Sequence, residues 1–486
     1  MPAITTCREN GFRRMKKRNG IRKMIAAAAA LMMAAGMAVP AFAEEQPLKV
    51  SLPETVRGYV NCEIRIQSPC PGEAVLRLYD ANNNPWRVMR ADVAAGDNRI
   101  PWDGLGENLE RLFAGPYHFD VTVTGEDGTE RTASAKFTIN ATKPALVYAL
   151  LSSETLYLDG SEKWFVEYYV SAECQVDMEV WKDNRKIWTE SQYISNPDGD
   201  LYYWNGKTGR EKLAPGDYTL VFHSKPNPDY SFTRTLHVEE GPCPVYEIAE
   251  TGPIVPERGM TDGEIWEIMM KPSVVIRDTG TMKRYDIYER PSTESRVTGS
   301  LRGATQGLEV LEAGERWTKV KAWTHTNGSA CTGYIRTDKL CVVQPQLHYG
   351  LLIDKKDQTM TVYEDGKAIA VLPVSTGKPE PGNTYRETPA GAFLTHVRLG
   401  ASFAQEYFRY EYPIRYDAGN MIHGVGFTRV GRVRDYSENL PLLGQKASHG
   451  CTRVSLFATE ESNINMYWLW TRLPYHTRVI VLDDAE

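Results

Sequence analysis

After residue 43 the chain has no hydrophobic run long enough to cross a membrane and no cluster of basic residues. A membrane-spanning helix needs about 20 consecutive apolar residues. The 486 residues include 56 Lys and Arg and 62 Asp and Glu. Residues 1–43 hold eight of the basic residues and one acidic residue, so the remainder has 48 and 61 and a net charge of −13. This acidic balance argues against nucleic acid or an anionic lipid surface as a partner.

An apolar run does occur near the amino terminus. The 14-residue, Ala-rich stretch Met24–Met37 follows a group of basic residues, and Pro40 separates it from a small-x-small sequence that ends at Ala43. A run of this length is short for a membrane span, so we predict a cleaved secretory signal peptide over residues 1–43. An uncleaved amino-terminal anchor is the alternative. The mature protein is then expected to be exported, with no stable membrane span.

Cysteine is scarce, and its distribution is uneven. Cys7 leaves with the signal peptide, and six of the remaining cysteines occur in twos along the chain, which favours three disulfides within domains. The last cysteine has no neighbour of this kind, so we predict a free thiol there; a disulfide half is the alternative. The seven cysteines after the signal peptide are Cys62, Cys70, Cys174, Cys243, Cys331, Cys341 and Cys451.

Two segments after the signal peptide look like copies of one unit. They read "IPWDGLGENLERLFAGPYHFDVTVT" and "YYWNGKTGREKLAPGDYTLVFHS"; Trp102 lies 13 residues before Gly115, and Trp204 lies 12 before Gly216. A Trp-(Asp/Asn)-Gly turn followed by an alternating strand is typical of a β-hairpin. The pattern resembles the immunoglobulin-like module, a β-sandwich that often serves as a spacer; two chance hairpins are the alternative. The predicted repeats span residues 46–141 and 146–241.

A third unit is predicted over residues 272–344. It has short strands, Gly turns and interleaved Trp and Tyr, and it resembles a bacterial Src-homology-3-like (SH3-like) barrel. The resemblance rests on the Gly-Tyr-Ile sequence at 333–335 and on Trp317 and Trp323. Modules of that family often bind cell-wall peptide. The two tryptophans either form a ligand platform or fill a small core.

The last unit is predicted to be mostly β. Alternating residues indicate strands at 351–354, 359–363 and 368–374, and the chain closes with the strand-like "TRVIVLDD". Only "LFATEESNINMYWLWTRL", residues 456–473, has helical spacing. We therefore predict a mainly β multidomain chain with two sandwiches, a small barrel and a carboxyl-terminal domain containing one clear helix.

The stretch "QKASHGCTRV" near the end of the chain contains the unpaired cysteine, Cys451. A thiol attacks as a thiolate and needs a base or a positive potential nearby. His423, in "NMIHGVG", and His449 are candidate bases, and on an extended segment His449 would share a face with Cys451. Gly450 allows a tight backbone whose N–H groups bind an anion. The alternative is that the histidines are ordinary polar groups; further clustered metal ligands are lacking, so no metal is expected.

"MIHG" followed by "SHGCTRV", and preceded by "LLIDKKDQTMTVYEDGK", "VSTG" and "TPAGAF", resembles the L,D-transpeptidase catalytic domain, the YkuD family. The resemblance covers residues 346–484. The spacer of 25 positions from His423 to Ser448 is longer than is usual in the family. Its sequence "FTRVGRVRDYSENLPLLGQ" predicts an extended loop over the site, which bears on the choice of acceptor or substrate.

The resemblance implies the central chemistry. Cys451 is the nucleophile that attacks the carbonyl after an L centre of a peptidoglycan stem tetrapeptide. His423 is the general base, and the backbone carbonyl of Gly424 fixes the tautomer of its ring. D-Ala leaves, and the side-chain amine of a second stem resolves the thioester into a 3→3 cross-link.

Four further residues take supporting roles by the same resemblance. Ser448 and His449 orient the loop, and the N–H groups of Gly450 and Cys451 are the oxyanion donors. Arg453 holds a substrate carboxylate or stabilises the loop; a purely structural ion pair is the alternative.

The sequence thus predicts an exported cysteine transpeptidase of the cell wall, located in the periplasm if the host is Gram-negative. Its partners are peptidoglycan stem peptides, carbapenem-type inhibitors are expected to bind it, and no cofactor is implied. An L,D-carboxypeptidase, or another acyl transfer at the same Cys–His site, is the enzymatic alternative. A wall-binding adaptor with an inert catalytic domain is the non-enzymatic one.

Overall fold

The computed structural model describes residues 47–195, 199–277, 283–303, 305–398, 400–417, 419–431, 433–459 and 462–484. The predicted signal peptide lies outside the described residues. Within those residues, none of the helices has the length and apolar character that a membrane crossing requires. Strands make up most of the secondary structure, so the prediction of a mainly β multidomain chain is confirmed.

The first unit consists of two facing sheets. One has the strand order β1-β3-β6 and the other β2-β8-β7-β4-β5. Alternation in β7 turns Tyr117, Phe119 and Val121 inward, as a strand with one buried face requires. The strands are β1 (Lys49–Ser51), β2 (Thr55–Gly58), β3 (Cys62–Ser68), β4 (Gly72–Asp80), β5 (Pro85–Val93), β6 (Gly96–Trp102), β7 (Gly115–Gly125) and β8 (Glu130–Thr142).

The second unit repeats this topology. Its sheets have the orders β9-β11-β14 and β10-β18-β17-β12-β13, and the parallel pair β10–β18 corresponds to β2–β8 in the first unit. The repeat in the sequence therefore appears as a repeated strand order. The strands are β9 (Leu146–Leu151), β10 (Thr155–Tyr157), β11 (Phe165–Val170), β12 (Cys174–Lys182), β13 (Arg185–Ile194), β14 (Asp200–Tyr203), β15 (Lys207–Thr208), β16 (Glu211–Lys212), β17 (Gly216–Ser224) and β18 (Asn227–Glu239).

A short helix, α1 (Asp262–Met269), precedes the third unit and was not predicted. The signal for it is local: Thr261 and Glu264 form a capping box, in which each side chain bonds the other residue's backbone N–H. The third unit has a five-stranded sheet, β21-β20-β24-β23-β22, and the pair β19–β25. Its strands are β19 (Ser273–Ile276), β20 (Arg284–Tyr288), β21 (Val297–Arg302), β22 (Glu309–Glu312), β23 (Trp317–Thr324), β24 (Ser329–Arg336) and β25 (Leu340–Val343).

The two tryptophans of the third unit have different surroundings. Trp323 is buried and packs edge-on against His325, so the interpretation as a core residue holds for it. Trp317 is half-buried beneath the guanidinium of Arg336, 5.8 Å from the ring centroid. The assignment of the third unit as an SH3-like barrel and the ligand-binding role of its tryptophans stay predictions.

The last unit is built on one eight-stranded sheet, β29-β37-β26-β27-β28-β36-β33-β32. The four strands expected from the alternating pattern form as β26, β27, β28 and β37. The elements are β26 (Tyr349–Asp354), β27 (Thr359–Glu364), β28 (Lys367–Ser375), β29 (Gly391–Leu394), β30 (Ser402–Gln405), β31 (Phe408–Glu411), β32 (Ile414–Arg415), β33 (Met421–Gly424), β34 (Thr428–Val430), β35 (Val433–Asp435), β36 (Thr452–Val454), α2 (Met466–Arg472) and β37 (Arg478–Leu482).

The predicted helix over residues 456–473 is shorter than expected. The helix α2 begins only at Met466, because Asn465 caps it by accepting a hydrogen bond from the N–H of Trp468. The amide of Asn465 also donates to the carbonyl of Leu456 at 2.9 Å, which holds the preceding segment as a loop. A polar side chain that satisfies helix-end donors sets the boundary here, not the apolar spacing.

The predicted disulfides are wrong in this structure: the seven cysteines of the described chain are all free thiols. Cys62 begins β3, and Cys70 lies beyond its end. An extended strand of seven residues separates its ends by roughly 20 Å, far more than a disulfide spans. Closeness in sequence therefore does not bring these two sulfurs together, and the assignment of Cys451 must rest on its own surroundings.

Helix α2 joins the first two units to the last one. Asn108 of the first unit donates to Asn465 at 3.1 Å, and Asn465 donates to Glu110 at 3.2 Å. The ring of Trp470 lies 4.8 Å from those of Tyr148 and Tyr169 in the second unit. The capping residue of α2, Asn465, is thus held by the first unit, and its Trp470 side chain is held by the second unit.

Glu110 makes this junction sensitive to pH. Burial raises its pKa from 4.5 to about 7, against hydrogen bonds from Asn108 and Asn465 that lower it. The folded protein therefore keeps a proton that the unfolded chain releases. This stabilisation is complete below the pKa that Glu110 has in the unfolded chain, and it is lost as the pH rises through the pKa that Glu110 has in the folded protein.

We expect Glu110→Gln to remove this pH dependence. As the pH rises from 4.5 to 8, the free energy of unfolding of the wild type should fall by about 3 kcal/mol relative to that of the variant. A pKa difference of this size represents a free energy of that order. Urea titrations at both pH values measure it, with exposed Glu126→Gln as the control. Equal pH dependence in Glu110→Gln and wild type would contradict the assignment.

Candidate active site

Two neighbouring strands bring the candidate base and nucleophile together. Strands β33 and β36 pair in parallel, with His423 opposite Arg453. Cys451 directly precedes β36, two residues before Arg453, and its sulfur receives a backbone hydrogen bond from Met421 of β33, two residues before His423. On its other side β36 pairs with β28, where Ser375 lies opposite Arg453. Residues 28 positions apart in sequence thereby become neighbours in the sheet.

The chain turns sharply just before the cysteine. Gly450 has φ of +115°, and a Cβ there would lie 2.6 Å from the side-chain oxygen of Asn420. Only glycine fits this conformation and this space. The tight backbone that Gly450 was expected to allow is present, so the extended segment on which His449 would share a face with Cys451 does not form.

Ser448 closes the turn from inside. Its hydroxyl donates to the carbonyl of Cys451 at 2.5 Å and accepts the N–H of Gly450 at 3.2 Å. Its predicted role in orienting the loop stays a prediction. The Gly450 N–H already has an acceptor, so it must exchange this partner to serve a reacting oxygen, and its role as oxyanion donor stays a prediction.

Thr388 and Lys355, which the sequence analysis did not single out, support the turn from outside. The fully buried hydroxyl of Thr388 donates to the carbonyl of Gly450 at 2.8 Å and accepts the N–H of Gly377 at the same distance. The ammonium of Lys355, also buried, donates to Glu387 at 2.8 Å and to the carbonyl of Thr388 at 3.2 Å. Lys355, Gly377 and Thr388 belong to the "IDKKDQT", "VSTG" and "ETPAGAF" sequences, respectively. The spacing of these motifs is the sequence signal by which the supporting residues could have been found.

Three carboxylates near this network could be mistaken for a metal site. Oxygens of Glu387, Asp483 and Asp484 lie within 4.8 Å of one another. The ammonium of Lys355 lies 2.8 to 3.4 Å from all three, and Lys446 pairs with Asp484. A cationic side chain therefore lies among the three carboxylates, where a metal ion would have to bind, and a second one, Lys446, pairs with Asp484.

His423 is buried and neutral. Its Nδ1 lies 2.7 Å from the carbonyl oxygen of Gly424; because a carbonyl only accepts, Nδ1 carries the proton and the Nε2 lone pair is available. The rings of Phe403 and Tyr410 pack edge-on at 5.2 and 4.8 Å. Burial lowers the pKa of His423 to about 3, the bond to Gly424 opposes this, and Arg453 adds to it.

Cys451 is half-buried and rests as a thiol. Burial raises its pKa above the ordinary value of 9.0, and a backbone hydrogen bond from Met421 and the charge of Arg453 oppose this. The pair is therefore a thiol beside a neutral imidazole. A thiol in this state needs a base that takes its proton during attack, as in general-base activation of a nucleophile.

Arg453 is buried and bound to the long loop. Its guanidinium donates to the side-chain oxygen of Asn439 at 3.0 Å and to the hydroxyl of Tyr410 at 3.4 Å. Both partners are neutral, so these contacts favour loop stabilisation over a structural ion pair. Since Tyr410 also packs on His423, Arg453 connects the loop to the candidate base.

His449 lies in the same turn as Cys451 and is half-buried. Burial lowers its pKa, Arg386 and Arg453 lower it further, and Glu406 opposes them. His449 therefore lies within electrostatic reach of charged residues from neighbouring loops. Its predicted part in orienting the loop stays a prediction.

A residue of the third unit reaches this region and was not predicted. His325 lies 3.3 Å from a carboxylate oxygen of Asp417 and stacks on Tyr385 at 4.8 Å. Asp417 accepts the amide of Asn420 at 3.0 Å and acts to raise the pKa of the Cys451 thiol. No local sequence signal links residues so far apart in the chain.

The long spacer after His423 forms a hairpin. Strands β34 and β35 pair within it, and Arg434 forms an ion pair with Glu411. The guanidinium of Arg434 also lies 4.4 Å above the ring of Phe427, and its carbonyl accepts the amide of Asn82 in the first unit. The loop is thus anchored on an upstream unit.

Comparison with known proteins agrees with this arrangement. The sequence model of the YkuD L,D-transpeptidase catalytic domain matches residues 348–481. "Putative L,D-transpeptidase YciB" of Bacillus subtilis is 25% identical over 140 residues, which cover 28% of this chain and 66% of that protein. The chain thus spans slightly less than two thirds of the length of this relative.

Solved structures give similar partial matches. An L,D-transpeptidase from Xylanimonas cellulosilytica is 26% identical, with 28% of this chain and 60% of that chain covered and a TM-score of 0.20. L,D-transpeptidase 3 from Mycobacterium tuberculosis, in complex with a faropenem-derived adduct, is 15% identical, with 43% and 98% covered and a TM-score of 0.23. The sequence motifs and the family match together show that this chain carries, over residues 348–481, an L,D-transpeptidase catalytic domain of the YkuD family.

Proposed function

We propose that the protein is an exported L,D-transpeptidase that cross-links peptidoglycan stem peptides through Cys451 and His423. The observation that supports the proposal is the parallel pairing of β33, which carries the neutral, Nδ1-protonated imidazole of His423, with β36, which the thiol of Cys451 directly precedes. The predicted signal peptide and the cell-wall substrates of the family support export.

The first half of the reaction releases D-Ala. The sulfur of Cys451 attacks the donor carbonyl, and its proton moves to Nε2 of His423. The tetrahedral oxyanion then collapses, the carbon–nitrogen bond breaks, and the imidazolium returns its proton to the departing amine. Burial of His423 makes the imidazolium short-lived, since the low pKa drives the proton onward.

The second half transfers the acyl group. The side-chain amine of an acceptor stem attacks the thioester carbonyl and gives up a proton to Nε2 of His423. The carbon–sulfur bond then breaks, and the thiol of Cys451 is restored, so the enzyme ends as it began. Water in place of the amine would give a carboxypeptidase, and the mass of the product distinguishes the two.

We expect Cys451→Ala to abolish turnover and to leave the fold intact, because the half-buried thiol supplies the nucleophile and little core volume. With disaccharide-tetrapeptide as substrate, mass spectrometry should show product formation reduced by at least about 10³-fold. Cys341→Ala, also half-buried but in the third unit, is the matched control. Product formed by Cys451→Ala at a near-wild-type rate would refute the assignment, and a hydrolysed tripeptide from the wild type would favour the carboxypeptidase.

A carbapenem should acylate Cys451, because its strained lactam carbonyl resembles the donor amide. The rate should stay nearly constant from pH 6 to pH 8, since burial raises the pKa of the thiol and His423 remains neutral, so the reactive thiol and imidazole keep one protonation state across this range. His423→Ala should slow acylation at pH 7 by roughly 10²–10⁴-fold, the usual contribution of a general base.

His449→Ala is the matched control for that experiment, and its effect should be smaller. Intact-protein mass against time, at several pH values, measures all three proteins. A greater loss in His449→Ala would assign the base to His449. A rate that rises up to about pH 6.5 and is constant above it would mean that the titrating group is a histidine of ordinary pKa.

A further inference from the structure

A cleft of about 850 Å³ opens on the second unit. It lies between the edge strands of the two sheets, β13 and β14, and the hairpin β15–β16 borders it. Six of its 17 lining residues are aromatic, which is typical of a ligand site and unusual for a plain sandwich edge. These six are Tyr157, Trp164, Trp188, Tyr202, Tyr203 and Trp204.

The first unit shows what the same edge looks like when it is closed. Arg87 pairs with the seventh residue of β4, as Trp188 does with the seventh residue of β12, so the two positions correspond. Arg87 donates to Asp103 of the following loop at 2.7 Å. Glu107 of that loop donates its N–H to the carbonyl of Trp86 at 2.9 Å. The loop therefore seals the edge of the first unit.

The second unit departs from this arrangement at the same place. Its loop folds on itself, with Lys207 and Thr208 paired to Lys212 and Glu211. Trp188 replaces the arginine, and its ring edge lies 3.4 Å from the position that a Cβ on Gly209 would occupy. A Cβ at Gly209 would be in van der Waals contact with this ring, and the φ of +72° at this position favours glycine. One copy of the repeat has thus kept open a cleft that the other copy fills.

The polar groups of the cleft are held in fixed positions. A carboxylate oxygen of Glu190 accepts the indole N–H of Trp188 at 3.1 Å, and the other accepts the amide of Gln192 at 3.4 Å. The base of the cleft is closely packed, because Trp164 and Trp204 are buried and their rings meet edge-on at 5.8 Å. Such fixed groups lower the cost of ordering on binding.

The charges of the lining indicate a neutral ligand. Three carboxylates are matched by three ammonium groups, so neither an anionic polymer nor a cationic one is attracted over its whole length. A pyranose ring has an apolar face of C–H groups, which packs on the electron-rich face of an aromatic ring, and hydroxyls at its edge, which bond to carboxylates and amides. The lining residues with charged side chains are Asp159, Glu162, Lys163, Glu190, Lys207 and Lys212.

We propose that this cleft binds an oligosaccharide strand, with Trp188 as the stacking platform and Glu190 as a hydroxyl acceptor. The choice of an amino-sugar chain as the probe rests on the proposed function, because the stem peptides of its substrate are carried on such a glycan. Binding of the strand here would hold the wall polymer on the chain that bears the catalytic domain.

Calorimetric titration with a β-1,4-linked N-acetylglucosamine hexamer tests the proposal. The full-length mature protein with Cys451→Ala is used, so that binding is measured without turnover and its failure is separate from that of the transpeptidase. We expect saturable binding and a loss of affinity of about tenfold in Trp188→Ala, the order of one aromatic contact. Glu190→Gln should weaken binding as well and keeps the indole in place.

Tyr193→Ala is the matched control, since Tyr193 is 64% exposed on the same strand and is not part of the lining. It should bind like the parent. Absence of hexamer binding overturns the proposal, as does affinity unchanged in both Trp188→Ala and Glu190→Gln. A stem tetrapeptide that binds in place of the hexamer, and is lost with Trp188→Ala, assigns the cleft to peptide instead.

Discussion

The parallel pairing of β33 with β36 is the contact on which the candidate active site depends. It sets His423 opposite Arg453, with Cys451 immediately before the neighbouring strand. Three groups near the site support this pair of strands. The turn at Gly450, the hydroxyl of Thr388 and the guanidinium of Arg453 each hold one of the strands or the loop beside it. A shift of one residue in this pairing would turn His423 or the candidate nucleophile, Cys451, to the opposite face.

The upstream units are part of this packing. Buried apolar side chains of the first unit and of the catalytic domain form one continuous cluster. The helix α2 takes its cap contacts from the first unit and receives two tyrosine rings of the second unit around Trp470. The third unit contributes His325 beside Asp417. A substitution in an upstream unit can therefore alter the catalytic domain through packing, without touching substrate.

Much of this arrangement follows from local sequence. Alternation predicts the strands of the last unit, and two short motifs identify Cys451 and His423, because strand burial and thiol chemistry leave signals within a few residues. The cap at Asn465, which limits α2, is a local signal that apolar spacing does not show. Two other missed features depend on residues far apart in the chain: Thr388 reaches Gly450, and His325 comes from another unit. The disulfide prediction failed for the same reason, since spacing along the chain does not give distance in the fold.

The covalent intermediate gives the most direct test of the account. Wild-type protein is mixed with disaccharide-tetrapeptide, quenched in acid within a fraction of a turnover and digested with trypsin. Cleavage after Lys446 and Arg453 isolates the peptide that contains Cys451. The account predicts that this peptide gains the mass of the donor stem without its terminal D-Ala, and that the gain disappears when acceptor amine is added. Turnover with the acyl group on another residue, or with none on this peptide at any time, would contradict it.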